Sequence, residues 1–328
     1  MRSKCFEANT EEERISIFQD YFERDIETFF TSSISCCTGC HDDFKAHWPG
    51  TVSHDVELQH GYQTVGDFIE QSRIQDAFHA EEIEHYSKFL ECPNCGATLD
   101  REFWIYEHPF DVPREFFDQL GEIAQLADRA PFLLLTHEFA AEVFKIIQTE
   151  AMKVAPALIE GTLFRSRAAE EVPNPTLQDF AAPPAHVVSE GRYNHAAHPM
   201  MYLAKAKKTA LEEVGSQGAR FHVAEIELLS QFRVLNLSSL GEAETRAEIV
   251  FQCLARSALC AAPRLGEGWT KREYVFTRFI ADCARHAGFD AIEFGSTKHP
   301  SGTNIVLLEP PATLDGFARL VTIETLDF

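Results

Sequence analysis

The sequence predicts an α+β protein in which a mainly helical N-terminal region precedes a strand-rich C-terminal one. Three observations carry that prediction. Apolar residues recur at helical spacing through the first half. Short β-branched and aromatic runs fill the second. The punctuation between them changes abruptly, with Pro156, Gly161, Pro173, Pro175, Pro183, Pro184 and Gly191 in quick succession. A boundary near residue 157 therefore separates 1–157 from 158–328, and 328 residues suit two domains better than one core.

In chain order, Ile15, Ile17, Phe18, Phe22, Ile26, Phe29 and Phe30 stand at mostly helical spacing and predict a helix over Glu11–Phe30. A Cys- and Gly-containing turn follows at Cys36–Cys40, then a helical stretch Val65–Phe89 and a second turn at Cys92–Gly96. Pro113 suits the first turn of a further helix, and Phe132–Lys153 reads as another. Beyond the boundary, strands are predicted at Ala219–Leu228, Phe232–Leu237, Ala291–Phe294, Asn304–Leu308 and Ala318–Thr325. Helices are predicted at Lys205–Val214, Glu242–Ala258 and Thr270–Ala287.

The net charge of −22 is unevenly spread. Residues 1–150 hold 30 Asp/Glu and 11 Lys/Arg, giving −19, whereas residues 151–328 hold 21 and 18, giving −3. The first part should repel nucleic acid, because phosphate neutralisation supplies most non-specific affinity. No run approaches the roughly 20 apolar residues of a membrane span, and no apolar leader follows the N-terminus. The sequence thus predicts a cytoplasmic protein that binds neither membrane nor nucleic acid.

Nine cysteines without an export signal favour metal binding over a disulfide framework. Cys37-Thr-Gly-Cys40 and Cys92-Pro-Asn-Cys95-Gly96 are two C-x-x-C knuckles, each able to turn both thiolates toward one ion. Together Cys37, Cys40, Cys92 and Cys95 make a four-thiolate set that closes a structural zinc site and leaves no open position for chemistry. Cys36 competes with Cys37 as a neighbour, but only Cys37 keeps the two-residue spacer. The 51 residues between the knuckles exceed the usual interval of a compact ribbon, so a helical excursion must absorb them.

Four segments of the second half read together. Thr162-Leu-Phe-Arg165-Ser-Arg167 puts arginine at the end of an apolar strand. Gly191-Arg192-Tyr193-Asn194 is a turn after a Pro-rich loop. Met201-Tyr202-Leu-Ala204 leads into Thr209-Ala-Leu-Glu-Glu213. Gly288-Phe-Asp290-Ala-Ile-Glu-Phe-Gly-Ser296 ends a strand in serine, and Ser301-Gly-Thr-Asn304-Ile-Val-Leu-Leu308 follows.

In that order the segments resemble the RES domain family, named for an arginine, a glutamate and a serine, over about residues 160–310. The resemblance makes Arg165, Glu213 and Ser296 the three residues. Glu213 lies three positions after Ala210, as the family's A-x-x-E pattern has it. Arg165 follows the apolar pair directly, with Arg167 as the alternative. Ala291, where the family often has glycine, and Phe294, where tyrosine is common, depart from the pattern. The resemblance implies an ADP-ribosyltransferase-like fold of two small, roughly perpendicular sheets with NAD in the cleft. It also implies NAD destruction by hydrolysis or phosphorolysis, as the toxin of a toxin–antitoxin pair.

The residue chemistry suits that activity. Breaking the nicotinamide–ribose bond develops positive charge on the ribose, which a carboxylate such as Glu213 can stabilise. Arg165 and Arg192 offer forks of donors for pyrophosphate or for incoming phosphate. Ser296, Asn194 and Asn304 can orient ribose or amide by hydrogen bonds, and Tyr193 and Tyr202 can stack on a flat ring. His195 and His198, beside the turn, are expected to be solvated, and Cys253, Cys260 and Cys283 to be buried apolar groups. Two other functions remain open at this point: ADP-ribosyl transfer to a protein or other target, and a zinc-ribbon adaptor without catalysis. An antitoxin protein covering the active site is the expected partner.

Overall fold

The computed structural model describes residues 10–30, 34–52, 62–106, 115–214, 218–238, 243–262, 272–299 and 301–327. The chain forms two compact units, Met1–Pro113 with Gly241–Thr245, and Arg114–Leu240 with Arg246–Phe328.

The first unit is mainly helical around a small antiparallel sheet. It runs α1 (Glu11–Phe30), β1 (Ile34–Cys37), α2 (His41–His47), α3 (Pro49–Val52), β2 (Gln63–Thr64), α4 (Val65–Gln71), α5 (Ile74–Ala77), α6 (Ala80–Tyr86) and β3 (Glu102–Tyr106). Thr10 starts α1 with a reciprocal cap: its hydroxyl accepts the Glu13 amide, and the Glu13 carboxylate accepts the Thr10 amide. Phe18, Phe22 and Ile26 then share one buried face. Phe22 packs edge-on against Phe68 at 5.1 Å and against Phe103 at 5.6 Å, while Phe18 meets Phe78 at 5.1 Å.

Two sequence expectations change here. The single helix expected over Val65–Phe89 is three short ones. The Ser72 hydroxyl bonds the Ile69 carbonyl and the Ile74 amide, and the Glu82 carboxylate accepts the His79 amide, so local side-chain bonds compete with a continuous helix. The sheet, ordered β1-β3-β2, was not anticipated. Its strands are short, and the buried Phe103 and Tyr106 of β3 pack against aromatic rings of α1, α4 and α2, so their apolar character serves the helices as much as the sheet.

The second unit starts with α7 (Glu115–Arg129) and α8 (Glu138–Lys153), ahead of the change of texture near residue 157. Then come β4 (Ala157–Leu158), β5 (Leu163–Ala168), β6 (Met201–Ala204), α9 (Lys207–Val214), β7 (Arg220–Leu228), β8 (Gln231–Phe232) and β9 (Val234–Asn236). The unit ends with α10 (Arg246–Arg256), α11 (Ala258–Ala261), α12 (Val275–Ala287), β10 (Ala291–Gly295), β11 (Thr303–Leu307) and β12 (Ala318–Asp327). The expected strand Phe232–Leu237 divides into β8, paired with β4, and β9, parallel to β10.

The strand order is β12-β7-β5-β6-β11-β10-β9. Where two sheets were expected, hydrogen bonding makes one continuous order with a weak point inside it. β5 pairs with β7 over six positions but with β6 at one alone, Phe164 opposite Ala204. Three strands thus stand on one side of a seam and four on the other. Leu163, Phe180, Leu203, Ile226, Ile305 and Leu314 form the apolar core beneath them. α12 buries Phe276, Ile280, Ala281 and Ala284, and stops at Gly288, whose left-handed φ of 90° closes the helix. No described helix is long and apolar enough to cross a membrane.

Phe22→Ala removes the ring that joins α1 to Phe68 and Phe103. It is expected to destabilise the first unit by about 3–5 kcal/mol, measured as a lowered midpoint in urea unfolding.

Candidate active site and cysteine cluster

The centre of the candidate site is the Glu213 carboxylate near the end of α9. Thr209 and Ala210 are buried on the inner face of that helix, and one turn later the same face brings in Glu213. Its Oε1 accepts two hydrogen bonds at 2.7 Å, one from the Ser296 hydroxyl after β10 and one from the Asn304 amide on β11. Its Oε2 has no partner among the described residues. Among the described residues no lysine pairs with its side chain, as would be usual for an exposed helical glutamate; Lys298 Nζ donates to the Glu213 backbone carbonyl instead.

Arg165 and Arg167 project from the same face of β5. Arg165 is 9 % exposed, and its Nη1 crosses the seam to the Tyr202 carbonyl on β6 at 2.6 Å. Its Nη2 reaches the Ala181 carbonyl, while its Nε is buried without a partner. No carboxylate pairs with it among the described residues. Burial, with the neighbouring charge of Arg167 adding to it, pushes the Arg165 guanidinium down to about 9. Arg167 is half-buried and donates to the Asp179 and Ala181 carbonyls.

The Gly191–Asn194 turn is held from within. The Gly191 amide donates to the Asn194 carbonyl at 2.9 Å. Asn194 Nδ2 bonds the Ser189 and His195 carbonyls, and its Oδ1 accepts the Tyr202 hydroxyl at 3.0 Å, which itself accepts the Tyr193 amide. A Cβ at Gly191 would lie 2.0 Å from Asn194 Oδ1, so only glycine fits. Arg192 donates to the Gly295 and Cys260 carbonyls and stands 5.1 Å from the Phe294 ring.

Two expected roles are revised by these contacts. Tyr193 is 1 % exposed with its ring against Phe294 at 4.6 Å, so in this conformation it has no free face on which a ligand could stack. Arg192 spends its terminal nitrogens on protein carbonyls, tying the turn to the end of β10, and its Nε is buried without a partner among the described residues, so the expected anion clamp would have to work through atoms already partly engaged.

The eight residues expected at the site fall into two hydrogen-bonded groups, Arg165, Tyr202, Asn194 and Tyr193 in one and Glu213, Ser296 and Asn304 in the other, with Arg192 reaching from the turn to the Gly295 carbonyl beside Ser296. The His195 backbone carbonyl accepts from Asn194, while its side chain pairs with Asp282 at 2.8 Å. Cys253, Cys260 and Cys283 are buried, as expected of apolar packing groups. A cavity of about 670 Å³ lies along α12 between Phe132, Phe144 and Phe279, and none of the eight lines it. Thr209, Lys298, His299 and Gly302, which also surround Glu213 or Ser296, were not singled out in sequence. The three between β10 and β11 sit in a short irregular connection without periodicity.

In the first unit the sulfur atoms of Cys37, Cys40, Cys92 and Cys95 all lie within 4.8 Å of one another. The Cys40–Cys92, Cys37–Cys40 and Cys37–Cys95 separations are 3.6, 3.7 and 3.8 Å. A tetrahedral metal with sulfur at about 2.3 Å has edges of about 3.8 Å, so the donor set fits such an ion. The Cys37 amide points at Cys92 Sγ and the Asn94 amide at Cys40 Sγ, which orients the ligands. β1 pairs with β3, and the Cys92 amide bonds the Ala97 carbonyl, so sheet and turn bring the distant knuckles together. Cys36 is fully buried and stands outside the four.

The RES domain family model matches residues 162–327, half of the chain and most of the second unit's sheet. The chain belongs to the RES domain family. Among solved structures it is similar to a chain of the M. tuberculosis MbcT–MbcA toxin–antitoxin complex, with 13 % identity and a TM-score of 0.36. That match covers 56 % of this chain and 92 % of the other. No curated protein gives a significant match.

Cys40→Ser and Cys92→Ser are each expected to reduce bound metal from about one ion per chain to a small fraction, whereas Cys36→Ser leaves it unchanged. Elemental analysis of the purified variants checks the assignment.

Proposed function

We propose that this RES domain protein cleaves the nicotinamide–ribose bond of NAD, passing ADP-ribose to water or to inorganic phosphate. The observation that carries the reading is the divided Glu213 carboxylate: Oε1 accepts from Ser296 and Asn304, and Oε2 has no partner among the described residues.

On this reading the ribose of the nicotinamide end sits at Oε2, which accepts a ribose hydroxyl and faces the charge that develops as the bond lengthens. The electron pair of the breaking C–N bond returns to the pyridinium nitrogen, so nicotinamide leaves neutral and needs no proton. Water then adds to the ribose carbon and loses a proton, giving ADP-ribose. Phosphate in its place gives the ribosyl phosphate. Arg165 supports the anionic end of the reading, because a buried guanidinium with an unpartnered Nε and no carboxylate favours an anionic ligand. Asn304 and Ser296 hold the carboxylate, and Asn194, Tyr202 and Arg192 hold the strand and turn around it.

We assign this chemistry to residues 158–328, with α7 and α8 as additions to that domain, and we read the cysteine cluster of the first unit as structural zinc. Four thiolates at these separations suit its tetrahedral preference and leave no coordination position for substrate. A protein that destroys NAD must be restrained in its own cytoplasm, so we further read its partner as an antitoxin covering the site; co-expression with such a protein should restore growth.

Incubation of the purified protein with NAD, with and without phosphate, tests the reading by chromatography of the products. Glu213→Gln and Arg165→Met are each expected to lower turnover by at least about 100-fold. Arg165→Met also takes the donor from the Tyr202 and Ala181 carbonyls, so its melting temperature is expected to fall by roughly 2–8 °C while the protein still folds. Intact NAD with label on an added protein would turn the assignment toward ADP-ribosyl transfer, and no consumption of any kind would overturn the enzyme reading.

A further inference from the structure

The connection between β10 and β11 determines which way the Ser296 hydroxyl points. The Ser296 amide donates to the Gly302 carbonyl at 2.8 Å, and the Gly302 amide donates to the His299 carbonyl at 2.7 Å. Ser296 Oγ accepts the Lys298 amide at 3.2 Å and the His299 amide at 3.0 Å. A hydroxyl has two acceptor lone pairs and one proton. With both pairs engaged, the proton is left for Glu213 Oε1 at 2.7 Å. The backbone at His299 therefore aims the donor that saturates Oε1.

The His299 backbone is held in turn by its own side chain. Nδ1 lies 2.8 Å from Oγ1 of Thr209, a fully buried residue on α9 one turn before Glu213. The helix that carries the carboxylate thus also anchors the connection that carries its donor. Gly302 leaves the room for this contact. A Cβ there would come within 2.6 Å of both His299 Nδ1 and Thr209 Oγ1. Lys298 Nζ, bonded to the Glu213 carbonyl, adds a second tie between the same two elements.

We propose that His299, anchored on Thr209, is a positioning residue for the reaction: the imidazole–hydroxyl contact locks the Ser296 hydroxyl onto Glu213 Oε1 and so keeps Oε2 for the ribose. The inference rests on the reading of Glu213 as the carboxylate that acts on NAD. His299 itself touches neither substrate nor the carboxylate.

Two readouts test it. In the NAD assay, His299→Ala and Thr209→Val are each expected to lower kcat by about 10–30-fold while KM changes by less than about 3-fold, because uniform binding is left in place. The double variant should be no slower than the worse single one, as expected of two halves of one contact. His299→Asn, which puts an amide at the Nδ1 position, and Thr209→Ser should restore most of the rate. The second readout is hydrogen exchange at the Lys298 and His299 amides, slow in the wild type and at least about 10-fold faster in His299→Ala and Thr209→Val. Wild-type kcat in both variants, or unchanged amide protection, overturns the proposal. If the wild-type protein leaves NAD intact, the NAD reading falls by itself, and amide protection alone decides: faster exchange in Thr209→Val upholds the lock, and unchanged exchange removes it.

Discussion

The second unit depends on how it treats the seam between β5 and β6. A sheet interrupted after one paired position leaves backbone carbonyls on the strand edges, and buried carbonyls need donors. The Tyr202 carbonyl receives one from Arg165, which reaches across the gap. A neutral donor would meet that need at lower cost, because burying a guanidinium without a carboxylate is expensive. The charge therefore has no structural justification at this place, which is why we connect it to an anionic ligand. The seam also sets where α9 begins: the chain leaves β6 at Ala204, and two residues later the helix turns back over β5.

From that start the rest of the site follows by helix and strand periodicity. Thr209 faces inward and fixes the His299 contact, Ala210 keeps the helix close to the sheet, and Glu213 arrives one turn later beside β11. Asn304 is opposite Phe294 in the ladder, so the amide and the ring that meets Arg192 share one face of neighbouring strands. Glycine appears where side chains from separate elements must touch through the backbone: Gly191 beside Asn194, and Gly302 beside His299 and Thr209.

Much of this was legible in sequence because each segment announces itself locally. The Leu163–Arg167 strand, the Gly191–Asn194 turn, the helix bearing Glu213 and the strand ending before Ser296 each carry a pattern. The structure joins Glu213 to Ser296 and Asn304 directly, and Arg165 to the Tyr202 backbone. The paired knuckles likewise announced a four-cysteine set. What could not be read were contacts without a local pattern. His299 and Thr209 meet across 90 positions through a histidine that looks like any loop residue. Tyr193 looked available for stacking, and only its burial against Phe294 removes it. The sheet β1-β3-β2 stayed hidden because its strands are short and its apolar residues serve the helices as much as each other.

The turn Gly191–Asn194 shows why a residue type by itself does not identify a ligand contact. Arginine, tyrosine and asparagine in a loop all have suitable groups for a nucleotide, yet here many polar atoms of the turn are used on the protein: Arg192 Nη1 and Nη2 on two carbonyls, Asn194 on two carbonyls and a hydroxyl, the Tyr193 amide on Tyr202. Those engaged atoms serve a ligand only by giving up a bond they already have, which leaves Arg192 Nε as the unpartnered donor of the turn among the described residues. Glu213 is the opposite case, since Oε1 is fully engaged and Oε2 is not. Support on one oxygen and no described partner on the other is what electrostatic preorganisation requires of an acceptor that meets developing charge. On the proposed reading, the turn shapes the walls of the site and Glu213 supplies its reactive acceptor.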